Sequence, residues 1–430
     1  MRQGRSSCRS PGCRLLKPLC IVAAALVFHS VGSAQTPASP VFSKDGPDAA
    51  AYGVGKGYPL PGEAQRFAIL PQEYLVGFYS HFDLLRAVSK GDAVVPLMRA
   101  ISEINPVYGY DGRIKSITDY LHAHPVTGLL IARDDTILYE HYQYARSDRD
   151  RFMSQSMAKT VLGMLIGIAL SEGSIRSLDD VVANYVPELA DTAYGATPIR
   201  ALLQMSSGIA YRETYEPDDD SRKLGAALFP PNAEGAIASI RQFNVRVAAP
   251  GTTFNYSSAD SEVLGLVLSR AVHMSIAEYL SSRIWRKLGT EADAGWATDP
   301  QGQEITFCCM VATLRDWARF ALMLAHDGKW NGQQIVPRQW IIDSTTVPPN
   351  SYLAPGRLSP ILGYGYQTWI SAGERRRFSL IGIQGQTILI DPVTKMVLVH
   401  TAVRLNSRAG PDNVEIAALW YAVLAQYGPR

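Results

Sequence analysis

An α+β domain is predicted, with an antiparallel sheet built from both ends of the chain, flanking terminal helices and an all-helical region inserted in the middle. Three patterns predict it. Two runs of branched and aromatic residues, 126–133 and 136–143, flank Asp134-Asp135 as a strand hairpin. Helical patterns follow through the centre of the 430-residue chain. Short period-two runs then return after Tyr364, so the sheet begun by the hairpin is completed by the last segments.

The folded part does not start at Met1. Arg2, Arg5, Arg9, Arg14 and Lys17 precede an apolar run over 19–31, and Gly32-Ser33-Ala34 puts small residues where a signal peptidase cuts, so 1–34 is expected to be a secretory signal peptide. The run is shorter than the roughly 20 residues of a membrane span. Lys17 and Pro18 do not suit lipid attachment at Cys20, and no Arg-Arg pair marks the twin-arginine route. Export to a periplasm or beyond, without stable membrane insertion, is the expectation. Residues 35–112 are expected to form a linker, rich in Pro, Ala, Ser and Gly at first, and then an N-terminal arm. The main domain is expected over 113–430.

The elements of that domain follow in order. After the hairpin, 157–170 is apolar almost all round and ends before Gly173, the pattern of a buried helix with a glycine cap. Thr197-Pro198 has the form of a cap and first-turn pair. Further helices are predicted over 258–272, 275–288, 313–325 and 337–345, with Thr313-Leu314-Arg315-Asp316 approximating a capping box. The helical insertion thus spans about 174–345. Strands are predicted over 364–370, 377–383, 387–390 and 396–401, with a turn at Asp391-Pro392, and a last amphipathic helix over 413–426.

Composition bounds the function. A hydrophobic fraction of 47% against 19% charged residues describes a chain that buries a core. Lys plus Arg number 41 and Asp plus Glu 39, and five of the basic residues lie in the leader, so the mature chain carries 36 against 39, a net charge of −3. No basic field for nucleic acid exists. Cys8, Cys13 and Cys20 leave with the leader, and the remaining adjacent pair, Cys308 and Cys309, is expected to be buried thiols, because neighbouring cysteines rarely bond to each other.

Three motifs carry chemistry. Ser156-Met157-Ala158-Lys159 opens the buried helix, and a lysine three residues after a serine lies one turn along on the same face. An ammonium in apolar surroundings loses pKa, which lets Lys159 accept the serine proton. Phe254-Asn255-Tyr256-Ser257-Ser258 precedes a helix, so Tyr256 and Ser258 can share a cleft, and a phenol beside a lysine ammonium is expected to have a lowered pKa. Ile381-Gly382-Ile383-Gln384-Gly385-Gln386 lies between two strands, where a glycine marks close approach of a ligand or another backbone. An exposed backbone N–H there, with that of Ser156, would make an oxyanion hole.

Taken together, these residues resemble the serine beta-lactamase-related hydrolases, which include class C beta-lactamases, D-alanyl-D-alanine carboxypeptidases, family VIII esterases and 6-aminohexanoate-dimer hydrolases. The resemblance runs from about Tyr74 to the C-terminus. Val76-Gly77-Phe78-Tyr79-Ser80-His81, Phe307-Cys308-Cys309 leading into Leu314-Arg315-Asp316-Trp317-Ala318-Arg319-Phe320, and Gly382-Ile383-Gln384-Gly385-Gln386 look most like the aminohexanoate branch. It implies a beta-lactamase/transpeptidase-like fold, Ser156 as acylated nucleophile, Lys159 as base and Tyr256 as second proton-transfer group. It further implies the N–H groups of Ser156 and Ile383 as oxyanion hole, with Tyr215, Ser258, Gly382 and Gln384 at the substrate. No cofactor or metal is implied.

One departure bears on substrate. Beta-lactamases and carboxypeptidases begin the third motif with Lys or His followed by Thr or Ser, which grip a substrate carboxylate; here Leu380 and Ile381 stand in those positions. The expected activity is therefore an acyl-enzyme hydrolase of a neutral small-molecule ester or linear amide. A beta-lactamase or carboxypeptidase is the alternative within the fold, and a non-catalytic penicillin-recognising binding module the alternative of another class. His122-Ala123-His124 reads as a surface pair at a helix end, Arg375-Arg376-Arg377 as a solvated hairpin tip, and Glu216 with Asp218, Asp219 and Asp220 as a solvated acidic loop.

Overall fold

In the computed structural model, residues 36–47, 49, 85–216, 218–228, 234–404 and 411–428 are described. The expected signal peptide over 1–34, residues 51–84 of the linker and arm, and the segment Val76 to His81 lie outside the described residues.

The elements that position the site are, in chain order, β1 (Leu85–Val88), β2 (Val126–Arg133), β3 (Thr136–Tyr142), β4 (Phe152–Met153), α1 (Ala158–Ser171), α2 (Ser258–Val272), β5 (Ala294–Ala297), β6 (Met310–Ala312), α3 (Leu314–Ala325), α4 (Arg338–Thr345), β7 (Leu362–Tyr364), β8 (Trp369–Ser371), β9 (Phe378–Ile381), β10 (Thr387–Asp391), β11 (Met396–Ala402) and α5 (Pro411–Tyr427). The large sheet runs β3, β2, β11, β10, β9, β8, β7, antiparallel throughout, so the first hairpin joins the last strands through β2 against β11. Two short edge segments, Val41–Phe42 and Met98–Arg99, pair with β3 in parallel.

Strand periodicity explains why this sheet is covered on both faces. Val126 to Ala132 are all buried, but successive side chains point to opposite sides. Leu130 and Ala132 join the core that contains Leu314, Trp317, Ala318 and Ala321 of α3. Leu129 and Ile131 join a second core with Ile416, Leu419, Trp420 and Val423 of α5. In β11, Val397 and Val399 take the first side and Met396 and Leu398 the second. A layer of helix therefore lies on each face.

Helix α1 forms the spine of the large core and needs glycine to do so. A Cβ on Gly167 would lie 2.2 Å from the Trp340 indole, which packs into that notch from α4 and donates its Nε1–H to the Gly163 carbonyl at 3.0 Å. At the capped ends, Ser257 accepts from Asp260 N ahead of α2, and Thr313 accepts from Asp316 N ahead of α3.

Five expectations change. The region 174–345 is not all helical, and the sheet is not single. β5 and β6, short runs buried on both faces that show no alternation to betray a strand, join β1 and β4 in a second antiparallel sheet ordered β1, β5, β6, β4. The strand expected over 364–370 is a hairpin, because Gly365 N–H bonds back to Thr368 O at 2.8 Å and folds β7 onto β8. Thr197 does not cap the helix after Pro198, and its hydroxyl instead donates to Ala193 O. The arginine run is not simply solvated, since Arg376 pairs with Asp327 and Arg377 with Asp391.

Among the described residues no single helix is long and apolar enough to cross a membrane.

His400 on β11 is buried beneath the turn that follows β9. Its Nδ1 lies 2.7 Å from Gly385 O, to which it donates, and its Nε2 lies 3.2 Å from the Tyr120 hydroxyl, which can donate to it when the ring is neutral. Burial, with Arg404 nearby, pushes its pKa down to about 3 from 6.5. The folded state thus binds fewer protons than the unfolded one, so this contribution is intact above the unfolded pKa and is lost as pH falls toward the folded one. Wild type should lose about 3 kcal/mol more stability than His400→Gln between neutral pH and about pH 4, read from urea midpoints. Equal acid sensitivity of the two proteins would rule this out.

Candidate active site

Ser156 sits where the second sheet hands the chain to α1. It lies within a 3-10 turn, Gln155–Met157, that runs directly into the helix. Gln155 has φ +45°, a left-handed conformation that turns the chain sharply just before the serine. The turn is anchored on β6: Ser154 N–H donates to Met310 O at 2.8 Å, and Met310 N–H donates to Ser154 Oγ at 3.2 Å.

Lys159 lies one turn along, as the three-residue spacing requires, and is 1% exposed. Its Nζ lies 3.0 Å from Ser156 Oγ, 3.2 Å from Ser258 Oγ and 2.9 Å from the Phe307 carbonyl oxygen. Burial is the main cause that pushes its pKa down to about 8, against the opposing charges of Glu213 and Glu262. Glu262 is itself buried, bonded to Thr306, and pushed up to about 8. The three partners of Nζ satisfy the three donors of an ammonium, and on loss of one proton two N–H groups can still serve Phe307 O and Ser258 Oγ while the lone pair turns to the Ser156 hydroxyl.

Tyr256 supplies the far wall. Lys159 Nζ stands 5.0 Å from its ring centroid, and the Ser156 side chain is near enough to its hydroxyl to favour the ionised phenol slightly. The ring stacks on Trp369 at 5.7 Å and meets Tyr364 edge-on at 6.3 Å. Contrary to expectation, its pKa is raised rather than lowered. Burial and the Glu213 charge outweigh any help from a lysine that is itself losing its proton.

Ser258, Tyr215 and Glu213 form one unit. Glu213 accepts from Ser258 N–H at 2.7 Å, Ser258 Oγ at 2.9 Å and the Tyr215 hydroxyl at 2.8 Å. Ser258, expected at the substrate, spends its hydroxyl on Lys159 and Glu213. Glu213 escaped the sequence reading because it lies in an irregular loop 45 residues before Ser258, and no spacing rule links the two.

On the opposite side, Gly382, Ile383 and Gln384 follow β9 in a 3-10 turn, Ile383–Gly385. Gly382 marks an approach of backbone to backbone: a Cβ there would lie 2.6 Å from Ser154 O. Gln384 has φ +61° and its Oε1 accepts from Gln155 Nε2 at 3.1 Å, so it faces the nucleophile turn rather than open solvent. Gln155 was not singled out by its sequence. Both prospective oxyanion donors, the amides of Ser156 and Ile383, occupy the first turn of a 3-10 segment, where N–H groups lack intrahelical partners.

Cys308 and Cys309 are disulfide-bonded to each other, overturning the expectation of packed thiols. Cys309 adopts φ +71°, an unusual conformation for a residue with a side chain, and this lets adjacent sulfurs meet. The acidic loop is engaged within itself: Asp218 pairs with Arg212, Asp220 with Lys223, and Asp219 accepts the amides of Thr214 and Tyr215. His124 bonds Glu415. Among the described residues no cluster of three or more His, Cys, Asp or Glu side chains is placed to hold a metal ion.

Comparison with known proteins identifies the family. A 6-aminohexanoate-dimer hydrolase of Paenarthrobacter ureafaciens is 28% identical over 347 residues, covering 76% of this chain and 83% of that one. A solved Bacillus anthracis structure with a provisional 6-aminohexanoate-dimer hydrolase name superposes with a TM-score of 0.73 at 26% identity, over 81% of this chain and 93% of that one. EstCE1, a hydrolase with promiscuous acyltransferase activity, shares the fold, with a TM-score of 0.58 at 17% identity over 69% and 94%. The family model described as Beta-lactamase matches residues 114–419, and with a buried lysine beside the serine that opens its core helix, the chain belongs to the beta-lactamase family of serine hydrolases.

Proposed function

We propose that the protein, exported behind the leader of residues 1–34, hydrolyses a neutral carboxylic ester or linear amide through an acyl-enzyme on Ser156. One observation carries the reading: Lys159 is buried with its Nζ 3.0 Å from Ser156 Oγ and its pKa held near 8.

Neutral Lys159 takes the Ser156 proton as Oγ attacks the substrate carbonyl. The Ser156 and Ile383 amides face the oxygen on which charge develops. Tyr256 keeps its proton because its pKa is raised, so it is suited to donate a hydrogen bond to the leaving group and unsuited to act as a phenolate base. The Lys159 ammonium passes the proton it took to the leaving group, which departs as alcohol or amine; water then enters, and the lysine, neutral again, takes a proton from it as it attacks the acyl-enzyme, releasing the acid and restoring Ser156.

The neutral substrate class follows from what stands in the third motif. Leu380 is fully buried and Ile381 is apolar, so no side chain there grips a carboxylate. The likeness to 6-aminohexanoate-dimer hydrolases supports a linear amide as readily as an ester.

A fluorophosphonate probe should label wild type at Ser156, and Ser156→Ala should abolish both labelling and turnover. Wild type should cleave a short-chain nitrophenyl ester at least about 10-fold faster than a chromogenic cephalosporin. Labelling that persists in the variant, or a cephalosporin preference, would overturn the reading.

The rate should rise with pH along a limb centred near the Lys159 pKa of about 8, since only the neutral amine accepts the proton. Glu213→Gln removes a charge that raises that pKa, so the limb should move to lower pH. The variant should also lose about 1 kcal/mol of stability, because one amide cannot replace a carboxylate toward three donors. A limb that stays in place would show that Glu213 does not set the charge of Lys159.

A further inference from the structure

The Cys308–Cys309 disulfide lies directly between the two anchor points of the serine and lysine. On its N-terminal side, Phe307 O accepts from Lys159 Nζ at 2.9 Å, and the Phe307 ring lies 5.6 Å from the same nitrogen. On its C-terminal side, Met310 makes the paired bonds with Ser154 that hold the turn before Ser156. Between them, Cys308 O accepts from Trp296 Nε1 at 2.9 Å, and Cys309 O from Ala297 N at 3.0 Å, so β5 supports the bridge from behind. Both cysteines are buried, whereas Phe307 is half-buried and borders the cleft.

The conformation of Cys309 places backbone strain in this short span. A residue with a side chain pays about 1–2 kcal/mol for a left-handed backbone such as its φ of +71°. Such a conformation persists where the surroundings impose it, and here the covalent link between adjacent side chains does so. With the link opened, Cys309 is free to relax to negative φ, which rotates the peptide groups on its N-terminal side. The Phe307 carbonyl is carried by those groups.

We propose that this disulfide is a redox-sensitive positioning element that seats the Phe307 carbonyl on Lys159, so that its reduction slows the hydrolase. This rests on the assignment of Ser156 and Lys159 made above. A dithiol reductant gives two electrons and two protons, becomes a cyclic disulfide, and leaves Cys308 and Cys309 as two thiols. Loss of the carbonyl has two consequences for the amine. Its lone pair is no longer aimed at Ser156 Oγ, which lowers kcat. An acceptor that favours the ammonium form is also gone, which lowers the lysine pKa further.

The experiment compares oxidised enzyme, enzyme reduced with dithiothreitol, and reoxidised enzyme, with the state of the peptide carrying both cysteines read by alkylation and mass spectrometry. Reduction should lower kcat roughly 10-fold with KM little changed. It should also shift the rising limb of the pH profile to lower pH, and reoxidation should reverse both effects. Cys308→Ala/Cys309→Ala should behave as the reduced enzyme and ignore dithiothreitol; if that variant does not fold, the reduced wild type decides the matter. Two alkylated thiols with kcat and the pH limb unchanged would overturn the proposal, as would free thiols in the enzyme before reduction. Fluorophosphonate labelling separates the two readings. Absent labelling of Ser156 in the oxidised enzyme defeats the catalytic assignment, whereas equal labelling rates in both redox states defeat only the role of the disulfide.

Discussion

Keeping a buried amine close to losing its charge is the constraint on which the rest of the site depends. An ammonium in the interior of α1 costs several kcal/mol unless it is paired, and among the described residues no carboxylate bonds Lys159 directly. Glu213 is one hydroxyl away, through Ser258, so it tempers the desolvation without cancelling it. That spacing matters. A contact ion pair would lock the lysine in its charged form, while an empty apolar pocket would drive its pKa low enough to weaken it as a base. A pKa near 8 lies between those limits, where the lysine is basic enough to take a serine proton and is partly neutral at ordinary pH.

The same constraint explains the loops around it. Lys159 offers two N–H groups that must be satisfied once it is neutral, and they are met by a carbonyl from the segment before β6 and a hydroxyl from the start of α2. These come from 99 and 148 residues away in sequence. The nucleophile turn is held in a similar way, by β6 on one side and by Gly382 and Gln384 on the other. Two glutamines in left-handed conformations, Gln155 and Gln384, face each other across the site and share a hydrogen bond. Their backbone cost is typical of a site where geometry outranks local preference. Below Gln384, neutral His400 ties Gly385 to the centre of the sheet, which connects the oxyanion turn to the core.

Much of this was legible before any coordinates, for identifiable reasons. Helices α2 and α3 announce themselves through caps at Ser257 and Thr313 and through sustained apolar patterns. Lys159 stood out because a cation within an apolar run requires a reason. β5 and β6 were hidden because strands buried on both faces have no alternation, and their partners β1 and β4 are distant in sequence. Glu213 was hidden because its role arises from tertiary contact alone. The raised pKa of Tyr256 is hidden for a related reason: the sequence places a lysine near it but does not show that burial and the Glu213 charge both act on the phenol. The disulfide was missed because the general rule against bonding neighbours assumes ordinary backbone, and Cys309 does not have it.

Selectivity follows from which charges remain free to meet a substrate. Around Ser156 the polar groups are already committed: Glu213 to three donors, Ser258 to Lys159 and Glu213, Gln384 to Gln155. In the acidic loop beyond Tyr215, Asp218 pairs with Arg212, Asp220 with Lys223, and Asp219 accepts backbone amides, so these three carboxylates are already engaged. On the other wall, Tyr256, Trp369 and Phe254 pack on the buried Tyr364 as a continuous aromatic cluster. A carboxylate entering here would lose its water and gain no ion pair, whereas an uncharged acyl chain would lose only unfavourable contact with water. Discrimination of this kind acts through the penalty on the wrong substrate more than through grip on the right one. On the proposed reading, the serine and lysine would act on a neutral carbonyl that fits against the aromatic wall.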